Sequence, residues 1–229
     1  MLTQQGKLID DHQVVVDRVA YAATEARAAQ ELLRVAETAG ADAHLKNLAI
    51  AASADLFRSV RDRLEPIAAD LNLTDEVLGA TASVKAALLK AGHESLVREN
   101  GRYVAEHLGK TAWPLDATVA EIRNSARQFT DREAAPQAER IHRHDELIPE
   151  SLISAMGELG YFGLSVPESY GGHELGNLPM ILTTEELSRG SLAAAGSLIT
   201  RPEILAKALL AGGTEEQKRT WLPRVASGE

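Results

Sequence analysis

The first half of the chain carries apolar residues at the spacing of one helix face, and this pattern predicts amphipathic helices. The first stripe, in alternating steps of four and three, consists of Val15, Val19, Ala22, Ala26, Ala29 and Leu33. Gly40 is expected to break this helix, with Thr38 and Ala39 before it. A second stripe from Leu45 to Val60 predicts another helix, which Pro66 should kink or end.

Two further helices are predicted before residue 110. The segment 72–76 (NLTDE) offers capping side chains for a third helix that carries Val77, Val84 and Leu88 and closes at Gly92. A fourth helix is expected over 94–108, up to Gly109. Four helices with short connections predict an up-and-down bundle or part of one.

The segment GKTAWP (109–114), with a glycine and a proline at its ends, is the best candidate domain boundary. It gives a helical extension over 1–112 and a second domain over 113–229. In the second domain Asp116 is a plausible cap for a helix that carries Val119, Ile122, Ala126 and Phe129, and Pro136 is expected to interrupt it. The residues 148–150 (IPE) open the next helix.

The remaining elements alternate between turns and helices. The stretch 160–177 (GYFGLSVPESYGGHELGN) is predicted to form a loop or a series of turns because it is rich in glycine and proline. Helices are expected over 178–189 and 192–210, and Thr214 with the two glutamates after it caps a last helix through Leu222. The chain is then expected to enter a loop, which suggests the fragment of a longer protein.

Composition supports an all-α fold. Hydrophobic residues make up 45% and aromatic residues only 4%, with alanine as the main small apolar residue, which suits closely packed helices better than sandwiches or barrels. The net charge of -9 argues against nucleic acid and anionic membranes as partners. The lack of cysteine excludes disulfides and thiolate chemistry, and no run reaches the length of a membrane span. The N-terminus lacks the features of a signal peptide, so a cytoplasmic location is expected.

Two clusters of charged residues have a chemical and a structural interpretation. His142, His144 and the two acidic residues that follow could ligate a metal, but residues two apart on a helix diverge, so a solvated charged connection is favoured and no metal site is predicted. Glu185 and Glu186 could act as an acid–base pair. Adjacent residues on a helix point about 100° apart, so we expect one of them to face solvent and the other to pair with Arg189.

Thr200 and Arg201 interrupt the apolar run SLAAAGSLI, and Pro202 follows, so a turn or kink is expected there. A buried arginine is costly unless it meets a carboxylate. One interpretation is therefore an ion pair of Arg201 with Glu203 or Glu186. The other is recognition of an anionic group of a substrate.

Three blocks in the second half resemble the acyl-CoA dehydrogenase family: ELGYFGLSVPESYGG (158–172), TTEELSRG (183–190) and AGGTEEQKRTWLPRVASGE (211–229). The resemblance implies the N-terminal helical domain of an FAD-dependent enzyme that oxidises an acyl-CoA to the 2,3-enoyl-CoA. It also implies transfer of the electrons to an electron-transfer flavoprotein and a homodimer or homotetramer. No residue of this sequence matches the catalytic glutamate of the family, and no FAD contact is assigned. A non-catalytic all-α scaffold or interaction module derived from that domain is the alternative.

The octapeptide SLITRPEI (197–204) and the helical extension are similar to the methylsuccinyl-CoA dehydrogenase branch of that family. That resemblance implies a short, branched thioester substrate that carries a free carboxylate. A carboxylate deep in a pocket needs a cationic or multi-donor partner. Thr200, Arg201 and Ser197 are therefore the predicted substrate-binding residues.

Overall fold

A computed structural model describes residues 3–38, 40–79, 82–110 and 113–229. Every regular element in this part of the chain is helical, which confirms the predicted all-α class. The chain divides into two compact units, Met1–Pro114 (unit 1) and Leu115–Glu229 (unit 2). Ala39 before Gly40, and Thr111 and Ala112 in the predicted boundary, lie outside the described residues. No helix of the described residues is long and apolar enough to cross a membrane.

Unit 1 is built on two long antiparallel helices, α1 (Gln13–Glu37) and α2 (Ala43–Leu64). Glu25 of α1 accepts two hydrogen bonds from Arg63 of α2 (2.8 and 2.9 Å), and Ser53 Oγ donates to the Ala29 carbonyl (3.2 Å). Pro66 ends α2 as predicted, because a 3-10 turn replaces the helix from Glu65 and leads into the short α3 (Ala68–Leu71).

The remaining helices of unit 1, α4 (Ala82–Ala91) and α5 (Glu94–Glu106), both pack on α2. The third helix was predicted to be capped within 72–76 and to carry Val77, and this is wrong for its first turn. Thr74 Oγ1 accepts a hydrogen bond from the Val77 amide (3.3 Å), and Gly79 has a φ of 65°, so residues 75–79 form a turn instead.

Unit 2 begins with a continuous helical segment. α6 (Ala117–Phe129) starts at Asp116, whose side chain accepts from the Val119 amide (2.9 Å) as predicted. It continues through a π-helical turn (Thr130–Ala134) into α7 (Ala135–His144). The expected interruption at Pro136 is therefore wrong. Proline sits in the first turn of α7, where its missing N–H costs little.

The rest of unit 2 contains the turn-rich segment and five helices. After α8 (Glu150–Glu158), residues 160–176 form two 3-10 turns and fold back on themselves. α9 (Asn177–Gly190) and α10 (Leu192–Ile199) follow, and a π-helical turn (Thr200–Ala206) leads into α11 (Lys207–Gly212). α12 (Glu215–Ser227) passes through Pro223 and ends at Gly228, so the predicted loop after Leu222 is wrong.

The main core of unit 2 joins α6, α8, α9, α10 and the turn segment. Its largest fully buried side chains are those of Phe162, Met156, Met180, Leu187 and Leu198. Phe129 and Tyr161 meet edge to face with ring centroids 5.7 Å apart. The core fixes the turn segment against α10, and this brings Phe162 next to the predicted substrate-binding residues.

Candidate functional site

The three predicted substrate-binding residues meet at one acceptor, the Ser197 carbonyl in the last turn of α10, to which the other two donate. Arg201 Nη1 donates to it at 2.7 Å, and Thr200 Oγ1 donates to it at 3.3 Å. Ser197 lies three residues before the π-helical turn that begins at Thr200, and its carbonyl accepts from both side chains. The structure therefore brings Ser197, Thr200 and Arg201 together at one end of α10.

Arg201 is half-buried, and its guanidinium lies over the face of Phe162, with Cζ 5.2 Å from the ring centroid. Phe162 is fully buried. Sequence reasoning did not single out Phe162, although it lies in the turn segment, because nothing local indicates that this segment packs under Arg201.

The predicted ion pair of Arg201 with Glu203 or Glu186 is wrong. Glu203 accepts a hydrogen bond from Ser165 Oγ (2.9 Å) and pairs with Lys207 one turn later. Glu186 is held by other arginines. Among the described residues, no carboxylate lies within 4.0 Å of the Arg201 guanidinium, so this cation keeps donors for an external anion.

The predicted divergence of Glu185 and Glu186 is confirmed. Glu185 is exposed, whereas the Glu186 side chain is only 1% exposed and pairs with Arg189 (3.2 Å). Two arginines of α6 complete the cluster, because Arg127 donates to both Glu186 oxygens (2.9 and 3.0 Å) and Arg123 to one of them (3.1 Å). The signal in the sequence was the i, i+4 spacing of these arginines beside the apolar stripe of α6.

The environment of Glu186 argues against a catalytic role. Burial raises the pKa of its carboxyl, and the hydrogen bonds from Arg127, Arg123 and Arg189 lower it. Together these hydrogen bonds outweigh the effect of burial, so the pKa lies below the ordinary value. A carboxylate with a lowered pKa and almost no exposed surface is a poor proton acceptor. Glu186 is therefore a structural anion that joins α6 to α9.

At two glycines of the turn segment the chain itself fills the space that a side chain would need. A Cβ on Gly160 would lie 2.6 Å from His173 Nε2, and one on Gly172 would lie 2.0 Å from the Val166 carbonyl oxygen. Glycine-rich turns bind phosphate only where a ligand can approach the backbone closely. Gly160 and Gly172 thus leave no space for a phosphate beside their backbone.

His142 and His144 lie in the exposed last turn of α7, a helix rather than the connection that was expected. Arg140 forms an ion pair with Glu146 across this end of the helix. Within the described ranges, no three metal-ligating side chains come together.

Comparison with known proteins gives a match to the family model described as acyl-CoA dehydrogenase, N-terminal domain, over residues 116–229. The (2S)-methylsuccinyl-CoA dehydrogenase of Cereibacter sphaeroides is 48% identical over 115 residues, which are 50% of this chain and 21% of that protein. A mitochondrial 2-methylacyl-CoA dehydrogenase of Solanum tuberosum is 32% identical over 66% of this chain and 35% of its own length. A mitochondrial isovaleryl-CoA dehydrogenase of the same plant is 35% identical over 52% of this chain and 29% of its own length.

Proposed function

The chain belongs to the acyl-CoA dehydrogenase family through residues 116–229, and on that premise we propose that unit 2 forms one wall of the acyl-binding pocket of a flavin-dependent dehydrogenase. The enzyme oxidises a short, branched acyl-CoA that carries a free carboxylate to the 2,3-enoyl-CoA. Methylsuccinyl-CoA is the substrate that we propose, supported by the 48% identity to the Cereibacter sphaeroides enzyme.

The single observation that carries the substrate class is the unpaired cation at the end of α10. Arg201 is half-buried, is held by the Ser197 carbonyl at 2.7 Å and has no carboxylate within 4.0 Å among the described residues. A guanidinium in this position is suited to a two-point contact with a carboxylate. The Thr200 hydroxyl lies beside it and donates its proton to the same carbonyl, so the remaining N–H groups of Arg201 are the donors for an acyl chain that ends in a carboxylate.

Dehydrogenases of this family depend on FAD. When bound, FAD supplies the hydride acceptor for oxidation of the CH–CH bond. Gly160 and Gly172 of the turn segment leave no room for its phosphates, and Glu186 is held by three arginines. We therefore propose that the flavin site and the base that removes the α-proton are formed by other parts of the enzyme, and that unit 2 binds and orients the acyl chain.

The proposed role of Arg201 is tested in the flavin-loaded product of the complete coding sequence. We expect Arg201→Ala to raise KM for methylsuccinyl-CoA about thirtyfold, as for loss of a charge-assisted contact, and to leave KM for butyryl-CoA unchanged. Arg132→Ala is the matched control, because Arg132 also lies in a π-helical turn and donates to the carbonyl four residues before it (3.3 Å). Equal KM changes for the two substrates would show that Arg201 does not recognise the carboxylate.

The rest of the assembly is proposed by extension. The domains are a helical extension over 1–112 and a dehydrogenase α-domain over 113–229, in a cytoplasmic homodimer or homotetramer that passes electrons to an electron-transfer flavoprotein. A non-catalytic scaffold is the competing hypothesis, and the similarity to enzymes of one family does not favour it. A purified complete gene product without flavin absorbance and without dehydrogenase activity would support the scaffold.

A further inference from the structure

Unit 1 contains an apolar cavity between α1, α2 and α4. Its volume is about 530 Å³, and its lining includes Leu33, Phe57, Val84 and Leu88, with alanines between them. No residue of α4 is buried, so α4 covers the cavity without filling it. The volume and the apolar lining are within the range of small-molecule sites.

A second pocket, of about 460 Å³, adjoins this cavity at Leu88, which lines both. Three of its lining residues are cations, Arg58, Arg61 and Lys85, against one carboxylate, Asp62. The pocket is therefore locally positive, in a chain whose net charge is -9.

The three cations differ in how far the protein already neutralises them. Arg58 pairs with Asp55 (2.5 Å) and donates to the Leu88 carbonyl (2.7 Å), which ties α2 to α4. Arg61 Nε is buried and has no hydrogen-bond partner among the described residues. Within the same ranges, neither Arg61 nor Lys85 has a carboxylate within 4.0 Å.

A cationic pocket that shares a lining residue with an apolar cavity is complementary to one chemical class, an anionic head on an apolar tail. We propose that unit 1 binds a medium-chain carboxylate, with its head at Arg61 and Lys85 and its alkyl tail between α1, α2 and α4. The part of α4 from Lys85 to Ala91 spans about 9 Å, which sets the medium length. The site is independent of the one proposed in unit 2.

The test is calorimetric titration of the purified chain with decanoate below its micelle concentration. We expect decanoate to bind and raise the Tm of unit 1, while butyrate, which has the head without the tail, binds at least about tenfold more weakly because little apolar surface is buried. Decyltrimethylammonium, which has the same tail and the opposite charge, should not compete. No heat of binding with decanoate, or equal binding of the cationic analogue, would overturn the proposal.

Variants separate the head from the tail. The double variant Arg61→Gln, Lys85→Gln should lose affinity about tenfold, whereas Arg102→Gln, Lys110→Gln removes two exposed cations elsewhere in unit 1 and should change nothing. Ala29→Leu places three more carbons in the cavity and should weaken decanoate while keeping or raising the Tm. Unchanged decanoate affinity in both the double variant and Ala29→Leu would contradict the site. A concentration-dependent dimer that Ala29→Leu abolishes, without decanoate binding, would show that a second copy fills the cavity instead.

Discussion

The guanidinium carbon of Arg201 lies 5.2 Å from the centroid of the Phe162 ring. The ring belongs to a fully buried side chain, so it cannot move aside, and its face attracts a cation. The Ser197 carbonyl holds the same guanidinium by one N–H at 2.7 Å. Two contacts from different elements thus limit the positions open to Arg201, and a fixed cation loses less entropy when a carboxylate binds.

Phe162→Leu should therefore weaken recognition of a carboxylated substrate, although Phe162 acts only through its contact with Arg201. In the flavin-loaded enzyme we expect KM for methylsuccinyl-CoA to rise about fivefold, the size of one cation–π contact, with kcat and the KM for butyryl-CoA little changed. Phe129→Leu is the matched control, because Phe129 is a buried aromatic of the same core that contacts Tyr161. Equal rises in KM for both substrates would show that Phe162 contributes only packing.

The fold of the turn segment 160–176 requires a close approach of the backbone at Gly172 to that at Val166. A Cβ on Gly172 would lie 2.0 Å from the Val166 carbonyl oxygen, which is backbone and cannot rotate away. We expect Gly172→Ala to lower the free energy of unfolding of unit 2 by about 2–3 kcal/mol, measured by urea denaturation. Gly196→Ala, in the exposed middle of α10 with no atom within 4 Å of its Cβ, should instead raise it by about 0.5–1 kcal/mol. Equal effects of the two variants would contradict the steric argument.

The first turn of α12 is fixed by a reciprocal cap. Thr214 Oγ1 accepts from the Gln217 amide (3.2 Å), and Gln217 Oε1 accepts from the Thr214 amide (2.9 Å). Thr214→Ala should cost about 1 kcal/mol of unfolding free energy, while Thr214→Ser should cost little. The comparison is made by urea denaturation of the two variants. A serine variant as unstable as the alanine variant would show that the hydroxyl is not what stabilises this end.

The features that the sequence predicted well are local ones. The caps at Asp116 and Thr214 and the apolar stripe of α6 depend on residues within one or two turns, so periodicity and cap chemistry identify them. The errors at Pro136 and Pro223 both concern where a helix ends. A helix was expected to be interrupted at Pro136 and to end at Leu222, just before Pro223, but Pro136 sits in a first turn after a π-helical turn, and α12 continues through Pro223 to Ser227.

The partners of charged residues could not be predicted in the same way. Glu186 meets Arg127 and Arg123, which are 59 and 63 residues away in the chain, and the packing of α6 on α9 decides this contact. The nearer candidates were misleading for Arg201, because Glu203 is already held by Ser165 and Lys207. The resemblance to a family supports the proposed function, since the chemistry of single residues left a structural and a functional interpretation open for each.

The Glu186 cluster makes stability depend on pH in a defined direction. The pKa of Glu186 is lowered in the folded state, so its carboxylate stabilises unit 2 above the ordinary carboxyl pKa, and this contribution is lost as the pH falls through the folded-state value. Glu186→Gln should lower the unfolding free energy by about 3 kcal/mol at pH 7, and the gap to the wild type should close in acid. Urea denaturation followed by Trp221 fluorescence in a Trp113→Phe background reports on unit 2 alone, and Glu185→Gln, at the exposed neighbour, should leave the curve unchanged. A gap that stays constant from pH 7 to acid would mean that packing, and not the charge of Glu186, stabilises the α6–α9 contact.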